Sequence, residues 1–265
     1  MRKRISLVLG SGGARGIAHI SIIKALLEQG YEIDEVVGCS IGSLVGAAYA
    51  TGRIDAFEEW VSKLTKREVF RLMDFANPRF GLLKGERALL TLQEVFADTN
   101  IEELPIKYTA VATDLAHEDE VIFRTGSVYE AIRASIAIPA IFRAVDSENR
   151  FLVDGGLLNP VPVNHVQVKE NIVVAVNLDG ASAACGGRSF SKLSALDILQ
   201  ESYVIMRRRL CTLTVALYKP DYIIDIPHDL CGIWEFDRAM ELLQKGYDIA
   251  SAYLAEADLV KRVTS

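Results

Sequence analysis

Short apolar runs alternate with amphipathic stretches along most of this chain. Ile5-Ser6-Leu7-Val8-Leu9 is too short for a buried helix and reads as a strand. A glycine-rich loop follows, after which Gly16, Ile20, Ile23 and Leu27 recur at the spacing of one helix face, closed by Gly30. The order then repeats. Val36-Val37 leads into Gly38-Cys39-Ser40-Ile41-Gly42, residues 44–50 favour a helix, and Gly52 is its stop. Residues 54–64 and 85–96 read as further helices, separated by residues 67–84, a connection with Asn77-Pro78 and Gly81.

β-prone stretches return at residues 106–112, 121–123, 151–153, 172–178 and 222–226. In the last helix Phe236, Met240, Leu243, Tyr247, Ala250 and Leu254 lie four and three apart behind a cap at Asp237, and this helix is expected to pack on the sheet. Strands alternating with helices predict an α/β fold, a three-layer sandwich with a mostly parallel central sheet covered on both faces. One domain over residues 1–265 is expected. Residues 181–191, rich in Gly, Ser and Ala, read as a surface loop.

Composition narrows the function classes. Hydrophobic residues are 50% and charged residues 24% of the 265, as in an ordinary globular protein with a sizeable core. A net charge of -6 lacks the basic footprint of a nucleic-acid binder. Cys39, Cys185, Cys211 and Cys231 have no CxxC spacing and no clustered His, so free thiols are expected, with no metal. Basic residues precede the first apolar run, but that run is too short for a signal peptide, and no apolar run reaches 18 residues. The expectation is a cytoplasmic protein, with peripheral contact at the inner membrane face left open.

Gly38-Cys39-Ser40-Ile41-Gly42 fits the Gly-x-Ser-x-Gly nucleophile elbow and lies between a strand and a helix, as that motif requires. Read alone, it is equally a glycine-rich turn whose Ser caps a helix. Gly10-Ser11-Gly12-Gly13-Ala14-Arg15-Gly16 brings several N–H groups together at a helix start. As a dinucleotide fingerprint it has Arg15 where a third Gly belongs, and the second strand ends in the candidate nucleophile, not in a ribose-binding acid. An oxyanion hole from the N–H groups at Gly12 and Gly13, with Ala14 beside them, accounts for both loops together.

A base is needed. His19 reads as a partly buried helix residue, His117 as part of an acidic turn and His165 as part of a loop; His228 alone has the late position of a triad His. Asp154 is the other candidate, because Phe151-Leu152-Val153 ends in an acid followed by Gly155 and Gly156, where backbone can approach closely. An isolated Asp-Gly more often closes a turn.

Four separated blocks together resemble the patatin-like phospholipase family. Residues 10–16 resemble its glycine-rich oxyanion loop with Arg15, residues 38–42 its elbow, and Asp154-Gly155-Gly156 its Asp-Gly-Gly block; Ala134-Ser135-Ile136-Ala137-Ile138-Pro139 is similar to a fourth. The resemblance covers residues 5–180. It implies a Ser40–Asp154 dyad with no catalytic His, no metal and no cofactor. It also implies a serine lipid acyl hydrolase of phospholipase A, lysophospholipase or esterase type, acting on a lipid or acyl-ester substrate through an acyl-enzyme.

Alternatives remain open at this level: a Ser-His-Asp esterase or thioesterase using His228, a nucleotide binder using residues 10–16, or a silent lipid-binding scaffold. Arg15 is expected to orient its loop, to meet a phosphate head group or to form a surface ion pair. Ser135 and Pro139 are expected to shape the site wall. Residues 67–83 carry Phe70, Leu72, Met73, Phe75, Phe80 and Leu82 with Arg71 and Arg79, the make-up of an apolar flap or of core. Met206-Arg207-Arg208-Arg209, in a helix expected over residues 195–217, is a basic cluster that suits anionic lipid or a solvated helix face. Oligomeric state is not readable.

Overall fold

A computed structural model describes residues 3–74, 83–147, 149–182 and 194–264. Five strands form a parallel sheet: β1 (Lys3–Leu9), β2 (Tyr31–Cys39), β3 (Lys107–Asp114), β7 (Ile172–Gly180) and β8 (Tyr222–Pro227). β4 (Asp119–Phe123) and β6 (Arg150–Asp154) run antiparallel to β3, and β5 (Val145–Ser147) antiparallel to β6. The order is β5-β6-β3-β2-β1-β7-β8, with β4 on β3 outside that path.

Alternation along the strands builds two cores. Ile5, Leu7 and Leu9 of β1 face one side, where α1 (Ala18–Glu28) and α2 (Ile41–Ala50) bury Ile20, Ile23 and Val45 against them. Val8, Val37 and Ala175 face the other side, where Cys211 of α7 (Ala195–Tyr218) and the segment bearing Val161, Val163 and Val166 cover them. Helical layers on both faces are what near-continuous apolar parallel strands require.

β2 starts five residues before the Val36-Val37 pair, through Glu32, Asp34 and Glu35. Glu35 is fully buried, yet its carboxylate accepts from Ser6 Oγ at 2.5 Å and from the N–H groups of Gln167 and Val168 at 2.7 and 3.0 Å. These distant partners make an acid tolerable in a central strand.

α3 (Ile54–Ser62) and α5 (Glu86–Leu92) lie within the expected ranges. Between them Lys66–Leu72 forms α4, where a connection is expected. Thr65 and Glu68 close a capping box at its start, a local pattern that identifies the helix. The rest of the flap reading, at residues 75–82, lies outside the described residues, as does most of the loop expected at 181–191.

α6 (Val128–Ser135) packs on β3, and the final helix α8 (Ala239–Thr264) packs on the sheet at β8, as its pattern suggested, but chiefly on α1. The cause is a close crossing: a Cβ on Gly246 would sit 2.5 Å from Ser21 Oγ and 2.8 Å from Ala18 Cβ. Among the described residues no helix is long and apolar enough to cross a membrane.

Candidate active site

β3 brings the two central residues together. Its Ala110 and Val111 pair with both β2 and β4, so those strands lie on opposite edges. β6 pairs at residues 112–114, where β4 also pairs, and so shares the edge of β2. β2 therefore ends at Cys39 opposite Val111, while β6 arrives from the other direction and ends at Asp154 opposite Ala112. The two strand ends meet head to head. Ser40 Oγ donates to Asp154 Oδ2 at 2.5 Å, with both residues nearly inaccessible.

Ser40 is held in a backbone conformation that side chains rarely adopt, at φ 55 and ψ -126. Such strain costs on the order of 1–3 kcal/mol and persists only where the surroundings enforce it. Here they do. A Cβ on Gly38 would lie 2.5 Å from the Gly42 carbonyl oxygen, and one on Gly42 would lie 2.1 Å from that of Leu9. The strand-to-helix turn is thus closed tightly on itself and pressed against the end of β1. Ser135 braces it from α6: its hydroxyl accepts from Ser40 N–H at 2.9 Å and donates to the Val111 carbonyl at 2.6 Å. Ser135 is a buried strut, more specific than a wall residue. Pro139 is half-buried beside Ile138 of the cleft described below.

Asp154 is fixed at three points. Its N–H donates to the Ala137 carbonyl at 2.9 Å, Oδ1 accepts from Gly156 N–H at 2.7 Å, and Oδ2 accepts from Ser40. Gly155 is required here, since a Cβ would stand 2.3 Å from the Val111 carbonyl oxygen. Burial pushes the Asp154 carboxyl up to about 6, although the Ser40 and Gly156 hydrogen bonds and the Arg207 charge act in the opposite direction.

The glycine loop packs against both partners. A Cβ on Gly16 would strike Ile41 at 2.3 Å, and one on Gly156 would lie 2.7 Å from Ser11 Oγ. Gly10 and Ser11 donate to the carbonyls of Val176 and Pro160, and the neutral side chain of buried His19 meets the Gly10 carbonyl at 2.9 Å. Burial lowers the His19 pKa to about 4. This contact of His19 with the glycine loop is not visible in the sequence.

Ala14 departs from expectation as an oxyanion donor. Its N–H is already spent on the Ile233 carbonyl at 3.0 Å. Among the described residues the N–H groups of Gly12 and Gly13 make no backbone hydrogen bond, and Gly13 lines the same cleft as Ser40. With the Ser11 and Ala14 donors used, little of an anion nest for a nucleotide is left. Ile41 opens α2, and its N–H has no helical acceptor.

Arg15 does not face a head group. It is 4% exposed and donates to Asp179 at 3.1 Å and to the carbonyls of His228 and Cys231 at 2.8 and 3.2 Å. Arg207 likewise turns inward, 5% exposed, onto Asp179 at 2.9 Å, so the basic cluster of α7 is split and only Arg209 is well exposed. His228 meets the Gly180 carbonyl through Nδ1 at 3.0 Å, while Ser40 is occupied by Asp154 with no imidazole between them.

Beside Ser40 lies a cleft with a cavity volume of about 160 Å³, partly open to solvent. Ile41, Leu44, Phe57, Trp60, Leu89 and Trp234 are among its almost wholly apolar lining. Leu72 and Met73, read as flap or core, belong to its wall.

Residues 7–166 match the family model described as Patatin-like phospholipase, which is more than half of the chain. The chain belongs to the patatin-like phospholipase family. An uncharacterized NTE family protein of Mycobacterium tuberculosis is 44% identical over 181 residues, 68% of this chain and 50% of that protein. The neuropathy target esterase sws of Drosophila persimilis is 36% identical over 165 residues, 60% of this chain but 11% of that protein. This patatin-like chain thus spans half or less of the length of these curated relatives. Among solved structures, VipD from Legionella pneumophila superposes with a TM-score of 0.46 at 13% identity, over 92% of this chain and 67% of that one.

Proposed function

We propose that this patatin-like protein is a serine hydrolase of lipid carboxylic esters, with Ser40 as nucleophile and Asp154 as its base. The observation that carries this reading is the direct bond from Ser40 Oγ to a buried carboxylate at the mouth of an apolar cleft. Asp154 takes the hydroxyl proton as Oγ attacks the ester carbonyl. The N–H groups of Gly12 and Gly13, with that of Ile41, receive the oxyanion; a donor of this kind is worth about 3–4 kcal/mol. Asp154 then returns the proton to the departing alcohol. Water, activated by the same carboxylate, releases the fatty acid and restores Ser40. The apolar cleft supports an acyl chain as the part of the substrate bound there.

The test is labelling by a fluorophosphonate probe, followed by turnover of p-nitrophenyl esters and phospholipids without calcium. Wild type is expected to label at Ser40, Ser40→Ala to lose label and turnover, and Asp154→Asn to lose turnover. Labelling elsewhere, or an active Asp154→Asn, overturns the reading. An active-site role for His228 would require the opposite, with His228→Ala inactive.

Bilayer contact is a separate proposal, carried by α7. Ile205, Met206, Leu213 and Leu217 are exposed along its outer side with Arg209 among them, a make-up suited to an anionic bilayer surface. Sedimentation with phosphatidylglycerol-containing vesicles tests it, and retention unchanged in Met206→Ser/Leu213→Ser counts against it.

A further inference from the structure

Three charged side chains, Arg15, Asp179 and Arg207, are buried behind the Ser40–Asp154 pair, and their balance bears on what Asp154 can do. Asp179, in β7, accepts from Nη2 of both Arg15 and Arg207 at 3.1 and 2.9 Å. One carboxylate therefore serves two guanidiniums, neither of which can relieve the imbalance by losing a proton. One positive charge is left over. Nε of each arginine is also buried without a hydrogen-bond partner among the described residues, so these heads are not present merely to complete a hydrogen-bonded network.

Arg207 extends past Asp179 toward the site. Its Nη1 donates to Ser11 Oγ at 3.3 Å. Ser11 Oγ and Asp154 Oδ1 lie 2.7 and 2.9 Å from the single point where a Cβ on Gly156 would stand. Arg207 thus approaches Asp154 from the Oδ1 side, away from the Oδ2 that holds Ser40.

We propose that Arg207 is a positioning residue whose surplus charge, delivered behind Asp154 by way of Ser11, keeps that carboxylate ionised and able to accept a proton from Ser40. The inference rests on the dyad reading above. With Asp154 ionised, two cations face two anions and the cluster is neutral. When Asp154 takes the Ser40 proton, the cluster gains one positive charge as the substrate oxygen becomes negative. The buried surplus then opposes the new anion.

The other groups facing Asp154 do not supply this charge. Cys39 on β2, and Tyr203 and Cys211 on α7, are pushed up by burial and stay neutral at pH 7. Glu120 on β4 is held by His165 at 2.6 Å, and Arg15 is bonded to Asp179 and to the carbonyls of His228 and Cys231, with no hydrogen bond to Ser11 or Asp154 among the described residues.

The experiment is the pH profile of kcat/KM for a short p-nitrophenyl ester between about pH 5 and 9, which reports the free-enzyme base. Wild type, Arg207→Gln and Arg207→Lys are compared, with Ser40→Ala and Asp154→Asn alongside. Arg207→Gln is expected to move the acidic limb up by about one unit, an added loss of about fivefold at pH 6, approaching tenfold at pH 5, that largely disappears at pH 9. Arg207→Lys should keep the limb near that of wild type. A Gln variant that loses the same factor at every pH, or a Lys variant displaced as far as Gln, overturns the proposal. Should Arg207→Gln fail to fold by circular dichroism, Asp179→Asn provides the opposite arm: the limb must move down, and an unmoved limb overturns the proposal. An active Asp154→Asn removes the dyad reading and this inference with it. An inactive Asp154→Asn beside an unmoved limb in Arg207→Gln removes this inference alone.

Discussion

Asp154→Asn should inactivate the protein and, above neutral pH, make it more stable. In the folded state the Asp154 carboxyl titrates at about 6, chiefly because it is buried. In an unfolded chain it titrates near 3.9, so the difference of about two units is worth about 3 kcal/mol. The sign follows from the direction of the shift. Between about pH 4 and 6 the folded protein keeps a proton that the unfolded chain has released, so stability falls as pH rises through that window. Above it the full cost is present; below about pH 4 it vanishes. Asparagine carries no such titration, and its side chain fits the same contacts: the oxygen accepts from Gly156 N–H, and the amide donates to Ser40 Oγ in place of accepting from it.

Urea unfolding of both proteins at about pH 4 and pH 8 measures the effect. The advantage of the Asn variant should grow by about 3 kcal/mol between those two values, a large step against a typical total of about 5–15 kcal/mol. Other titrating groups contribute equally to both proteins and cancel. Ser40→Ala sharpens the test, since losing a hydrogen bond to the charged form should steepen the pH dependence relative to wild type. A stability gap that is the same at acidic and alkaline pH would refute the reasoning.

Other consequences are equally open to measurement. Turnover should fall tenfold per unit below about pH 6, where Asp154 takes up its proton, and a kcat/KM profile flat to pH 5 contradicts that. Gly42→Ala places a methyl 2.1 Å from the Leu9 carbonyl oxygen and should cost about 3 kcal/mol or more in urea unfolding, whereas Gly52→Ala, with open space around it, should cost about 1 kcal/mol for its φ alone. Ser135→Ala strands the Ser40 N–H and the Val111 carbonyl, so a loss of about 1–3 kcal/mol with a lowered kcat is expected; full activity would show that the strut is dispensable. Leu44→Trp should fill part of the cleft and shift kcat/KM from laurate toward butyrate esters, and an unchanged ratio would place the acyl chain elsewhere.

Local pattern was enough to read the β1–loop–α1 and β2–elbow–α2 units, because short apolar runs and glycine-bearing turns record backbone demands that act within a few residues. The residue types of the candidate site were legible for the same reason, and the capping box of α4 was equally local although its helix reads as a connection. Tertiary structure alone decided which of these groups meet. Ser40 reaches Asp154 only because β6 runs antiparallel into the end of β2 along one edge of β3, a meeting of residues more than 100 positions apart that no local period encodes. It likewise turned Arg15 and Arg207 inward onto Asp179 and gave the Ala14 N–H to Ile233. A charged or polar group takes its setting from partners that satisfy it, and those partners are distant in the chain; side-chain chemistry is written residue by residue, but the partner is chosen by the fold.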